Sequence, residues 1–153
     1  MTILVDWELE ADEGPLIADE EIRRAVRAAL RHGQRDDLRV QIVLCSEDAL
    51  TSLHERFLDD STPTDVITFD LGDDGDDVAS AEIYVSVDMA KRVAAEYLQS
   101  VENELLLYVV HGTLHLCGFD DHEEDERRRM RLAEAAVFDA LGIPFDRARH
   151  ESL

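Results

Sequence analysis

Polar and apolar residues alternate along some stretches of the chain and recur every three or four positions along others. The first period marks strands and the second helices. Residues 38–44, LRVQIVL, alternate, with Leu38, Val40, Ile42 and Leu44 on one side. Residues 81–87, AEIYVSV, alternate again, and residues 64–71, TDVITFDL, are rich in the β-branched side chains that strands favour. A further strand is expected over residues 3–9, ILVDWEL. Residues 72–80, GDDGDDVAS, predict a solvated hairpin loop between the last two strands. Their likeness to a calcium loop is superficial. With Gly75 at the sixth position, Gly72 and Ala81 fall where the third and twelfth ligands belong.

Five segments carry the helical period. Residues 19–32 place Ile22, Val26, Ala29 and Leu30 on one face, with Asp19 as the expected cap and Gly33 as the stop. Ser46 opens a second helix through Leu50, Leu53 and Phe57, and Pro63 bars its continuation. Ser86 or Asp88 opens a third through Ala90, Val93, Ala94 and Tyr97. Ser100 opens a fourth, apolar nearly all round and therefore expected to be buried, which Gly118 ends. Residues 123–141 form a fifth, with Met130, Ala133, Val137 and Leu141 facing inward and Gly142 and Pro144 beyond it. Four strands interspersed with about five helices, without repeat or linker, predict one α+β domain over residues 1–153 built on a mixed four-stranded sheet. Its ordered core is expected over about 2–143, with 144–153 as a C-terminal tail.

Composition narrows the functional classes. No apolar run approaches the roughly 18 residues of a membrane span. The first residues, MTILVDWELE, lack the basic region and small-residue cleavage site of a secretory signal. Cys45 and Cys117 stand far apart, which is no disulfide framework and suits a reduced cytoplasm. The charge is unusual: 36 acidic against 15 basic residues give −21, and Lys91 is the one lysine. Such a surface is a device of halophiles, or else an acidic interaction surface. A nucleic-acid binder usually shows a basic footprint. A saline cytoplasm weakens that objection, because screening lengths fall to about 3 Å at 1 M salt.

The chemistry concentrates in residues 111–122, HGTLHLCGFDDH. His111 and His115 lie four apart on the expected buried helix, so they leave it about 40° apart and can reach one ion. Past Gly118 the chain can turn back and offer a third ligand, Asp121 or His122. Three protein ligands with one open position is the pattern of catalytic zinc. Gly112 stands where an H-E-x-x-H protease carries its glutamate base, which argues against that chemistry. A glycine inside a helix costs about 1 kcal/mol against alanine, so Gly112 predicts close packing or substrate approach. Cys117 points to the opposite face and reads as a packed residue, not a ligand.

HGTLHLCGFDDH resembles the signature of the YbeY family, bacterial metal-dependent endoribonucleases of ribosomal RNA maturation. PTDVITFDL resembles the family's proline-threonine-aspartate strand, and AEIYVSVDMAKRVA the strand-to-helix segment that follows it. The similarity spans roughly residues 38–138. It implies a zinc ion, a cytoplasmic location and single-stranded ribosomal RNA as substrate, at the 3′ end of 16S rRNA and in ribosome quality control. The ribosome or its proteins would be partners; DNA and membrane would not.

Two departures change what the resemblance implies. The family's third histidine follows the first by ten residues, a place held here by Asp121, with His122 next. The family's downstream methionine follows that ligand by nine, as Met130 follows Asp121, so an ungapped register puts Asp121 in the ligand slot. One inserted loop residue would put His122 there. Two histidines and a carboxylate suit zinc, iron and manganese. The family also carries an arginine after the aromatic that precedes the proline-threonine stretch; here Leu58 follows Phe57, and His54 replaces the usual asparagine of that helix. Asp65 or Thr64 would orient substrate or water, and Arg56 would stand in for the lost phosphate contact. The expected function is a metal-dependent endoribonuclease. The alternatives are a metal-stabilised ribosome-assembly factor with weak or no catalysis and, behind it, a zinc hydrolase of small substrates.

Overall fold

The alternating stretches assemble into one four-stranded sheet in the computed structural model, which describes residues 2–10, 13–59, 64–73 and 79–144. The chain runs β1 (Ile3–Glu8), α1 (Asp19–His32), β2 (Arg39–Cys45), α2 (Glu47–Leu58), β3 (Val66–Asp73), β4 (Ala79–Ser86), α3 (Val87–Glu96), α4 (Val101–Leu116) and α5 (Glu124–Leu141). Across the sheet the order is β1-β2-β4-β3. β1, β2 and β4 are parallel, and β3 lies at the edge, antiparallel to β4. The architecture is the expected α+β domain with a mixed sheet. Most of the acidic stretch joining β3 to β4, the tail after residue 144 and Pro63 lie outside the described residues.

The sheet has two unequal faces. Val40, Ile42 and Leu44 of β2, with Ala81, Ile83 and Val85 of β4, face the main core. Val43 and Cys45 face the other way, into a smaller cluster with Ile67 and with Leu50 of α2. β2 is therefore apolar on both sides along its second half, as a central strand must be. On the larger face α4 packs on β3 and β4, and α1, α3 and α5 surround it. Burial of α4 on nearly every side follows from that central place. Gly112 makes the contact possible. A Cβ there would sit 2.9 Å from Cγ2 of Val66 and 3.0 Å from Cγ2 of Ile83.

Local chemistry sets the helix ends. Ser46, Ser86 and Ser100 each accept a hydrogen bond at 3.1 Å from the backbone N–H of the third residue on. Ser86 thus caps α3, while Asp88 accepts from the Glu47 N–H at 2.8 Å and ties α3 to the start of α2. Asp19 is not the cap of α1. That place is Ala18, without a side-chain bond, because the indole Nε1 of Trp7 donates to the Asp19 carboxylate at 2.8 Å and holds it toward β1. Glu123 and Glu126 close α5 with a capping box. On α5, Glu134 and Phe138 take buried places, whereas Leu141 is only partly covered.

Candidate metal centre

The C-terminal half of α4 delivers the two histidines. His111 is 6% exposed, and His115, one turn later, opens to a cleft at the helix end. Gly118 adopts φ +97°, a conformation L side chains rarely take, and the chain reverses there. Arg127 of α5 secures the returning loop by donating to the carbonyls of Asp121 at 3.4 Å and His122 at 3.0 Å. The Asp121 carboxylate consequently lies over the last turn of α4.

Three donor atoms converge. Oδ2 of Asp121 lies 3.2 Å from Nε2 of His111 and 3.6 Å from Nε2 of His115, and the two Nε2 atoms are 3.0 Å apart. Three corners of a tetrahedron about an ion with bonds of 2.0–2.1 Å are separated by about 3.3 Å. The triangle fits a divalent cation, and its donor types suit zinc, manganese or iron. His122 is exposed. It lines the cleft, but its ring is not one of the converging groups.

The site's electrostatics are those of a cation binder. Burial discourages a charge on His111, yet the hydrogen bonds to Asp121 and Glu134, with the charges of Glu134 and Asp65, lift its pKa to about 9. The hydrogen bond from His111 draws the Asp121 carboxyl down to about 2 against the effect of burial. Burial and the neighbouring His111 lower the pKa of His115. A proton at Nε2 of His111 thus occupies the position a metal would take.

The cleft is lined by Leu58, residues 64–68, the two histidines and residues 120–122. Thr64 and Asp65 stand on its wall just before β3, where the Thr64 hydroxyl donates to the Asp65 carboxylate at 3.5 Å. The Asp65 carbonyl accepts the Ser86 N–H at 2.9 Å and fixes that wall to the end of β4. Leu58 forms part of the rim and is 54% exposed. Arg56 does not line the cleft: its guanidinium sits 5.8 Å from the centroid of the Phe57 ring, on the exposed side of α2. Among the described residues the lining includes no lysine or arginine.

Glu134 and Arg131 of α5 escaped the reading of the sequence. Glu134 is fully buried, with Oε2 2.7 Å from Nδ1 of His111, and Arg131 pairs with its other oxygen. The available signal was a carboxylate set among Met130, Ala133 and Val137 on the apolar face of an amphipathic helix. Cys117 is accounted for by packing: a Cβ on Gly33 would fall 2.3 Å from its Cβ and Sγ.

Known proteins resemble this chain over most of its length. The family model described as Endoribonuclease YbeY matches residues 9–142. An Endoribonuclease YbeY of Carboxydothermus hydrogenoformans is 37% identical over 122 residues, covering 80% of this chain and 85% of that protein. Another, of Chloroherpeton thalassium, is 31% identical over 82% of this chain and 87% of its own. A solution structure from Thermotoga maritima superposes with a TM-score of 0.58 at 26% identity, over 92% of both chains. With the family model matched over nearly the whole described core, the chain belongs to the endoribonuclease YbeY family.

Proposed function

We propose that the chain is a metal-dependent endoribonuclease of single-stranded RNA, acting in ribosomal RNA maturation at the 3′ end of 16S rRNA and in ribosome quality control. The observation that carries the reading is the triangle of Nε2, Nε2 and Oδ2 atoms at the floor of a cleft, in a chain whose relatives are named endoribonucleases. His111, His115 and Asp121 would hold one zinc ion per chain, with manganese or iron as chemically acceptable substitutes. When bound, a divalent ion polarises a phosphoryl oxygen and makes water acidic enough to attack near neutral pH.

The protein's own residues define the rest. Asp65 in the cleft lining can accept a proton from an attacking water, and Thr64 beside it can orient that water. The carboxylates of Asp120, Asp121 and Asp65 in the lining would repel a phosphodiester from the bare cleft, so binding of RNA is expected to require the cation. Cys45 and Cys117 are free, as a reduced cytoplasm would keep them, and no helix of the described residues is long and apolar enough to cross a membrane. Purified protein loaded with zinc should cleave single-stranded RNA and spare a duplex of the same sequence. Equal cleavage of both would remove the single-strand claim.

One observation favours a second reading, a metal-stabilised ribosome-assembly factor with weak catalysis. Leu58 occupies the rim where the family resemblance places an arginine, and a leucine cannot hold a phosphate. The acidic surface would then meet basic ribosomal proteins. Leu58→Arg separates the two: cleavage that arises only in this variant means the natural chain is chiefly a binding factor.

A further inference from the structure

Glu134 is an ionisable group with no exposed surface, set on the inward side of α5 among Met130, Ala133, Val137 and Phe138. A carboxylate in such surroundings is strongly unfavourable unless it is paired and hydrogen-bonded. Its two oxygens have separate tasks. Oε1 accepts from Nη1 of Arg131 at 2.5 Å, and Oε2 lies 2.7 Å from Nδ1 of His111. A carboxylate only accepts, so the imidazole donates from Nδ1. The lone pair of a neutral imidazole then resides on Nε2, the atom that faces Nε2 of His115 and Oδ2 of Asp121. The Nδ1 of His115 instead lies 4.0 Å from Oδ1 of the exposed Asp120.

We infer that Glu134 is a positioning residue of the metal centre: its hydrogen bond to Nδ1 fixes the tautomer and ring orientation of His111 so that Nε2 points at the ion. Arg131 holds the carboxylate in place. The inference rests on the metal-centre reading of His111, His115 and Asp121. It gives α5 a second part in the site, beside the Arg127 bonds to the Asp121 loop, although none of its side chains joins the donor triangle. Carboxylate partners of this kind orient metal-bound histidines and raise their basicity, and their loss commonly weakens metal binding by about 10–100-fold.

The competing explanation is that Arg131 and Glu134 form an ion pair that serves only the core. Two variants separate the roles. Replacing both residues, Arg131→Leu with Glu134→Leu, removes the pair without leaving an uncompensated charge, so the fold is expected to survive. Glu134→Asp keeps the charge for Arg131 but withdraws the acceptor by about one methylene, out of reach of Nδ1. Zn²⁺ and Co²⁺ affinities are measured by chelator competition, with the visible absorption of the Co²⁺ form reporting coordination geometry and circular dichroism reporting the fold. Both variants should bind each ion about 10–100-fold more weakly and show altered Co²⁺ bands. Either variant, folded, with the natural affinity and the natural Co²⁺ spectrum overturns the inference. A natural chain that binds neither ion overturns the metal reading itself and this inference with it.

Discussion

Asp121 and His122 are neighbours of similar ligand capacity, and backbone direction separates them. The loop returning from Gly118 turns the Asp121 carboxylate onto α4 and leaves His122 exposed at the rim. Asp121→Ala should therefore lower divalent-metal affinity by at least about tenfold, whereas His122→Ala should leave it nearly unchanged. Calorimetric titration of both variants decides, and the reverse ranking would move the third ligand to His122. Protons compete at the same atoms. In the metal-free protein His111 has its pKa raised to about 9, so its contribution to stability is complete below the ordinary histidine value of about 6.5 and is lost as pH rises through about 9. Asp121 has its pKa lowered to about 2, so its contribution is present above the ordinary carboxyl range and is lost as pH falls through about 2. A metal must displace the His111 proton, and apparent affinity should rise with pH toward about 9. A flat profile between pH 6.5 and 9 contradicts the assignment.

Elements were legible in the sequence where one period dominates. The serine caps, the buried α4 and the β3–β4 hairpin follow from patterns that neighbouring residues complete. The strand order was not legible, because pairing β2 with β4 depends on contacts far apart in the chain. The same limit hid Glu134. Its place on α5 is visible as a period, but its partner His111 lies 23 positions earlier, on another helix. The Asp19 cap failed because Trp7 on β1 claims the carboxylate. Gly112 was legible as an anomaly, and packing explains it. Gly112→Ala gains helix propensity of about 1 kcal/mol but drives a methyl group into Val66 and Ile83. Overpacking costs about 1–3 kcal/mol, so the net effect should be a loss of up to about 2 kcal/mol in urea denaturation. A more stable variant would mean that α4 can move off the sheet.

For the whole molecule, charge sets the conditions and the cleft is the proposed seat of activity. A net charge of −21 on 153 residues repels itself, and salt screens it. If the acidity is an adaptation to a saline cytoplasm, the melting temperature should rise steadily between low and molar potassium chloride, and a fold fully stable at low salt would count against it. The same salt would let an acidic protein approach RNA. The central claim is that one cation, held by His111, His115 and Asp121, is what cleaves RNA in this chain. Metal content by elemental analysis, paired with cleavage of single-stranded RNA by the same samples in high potassium, tests it most directly. The natural chain should carry about one divalent ion and cleave, and His115→Ala should lose both. Undiminished cleavage by a metal-free His115→Ala protein would contradict the account.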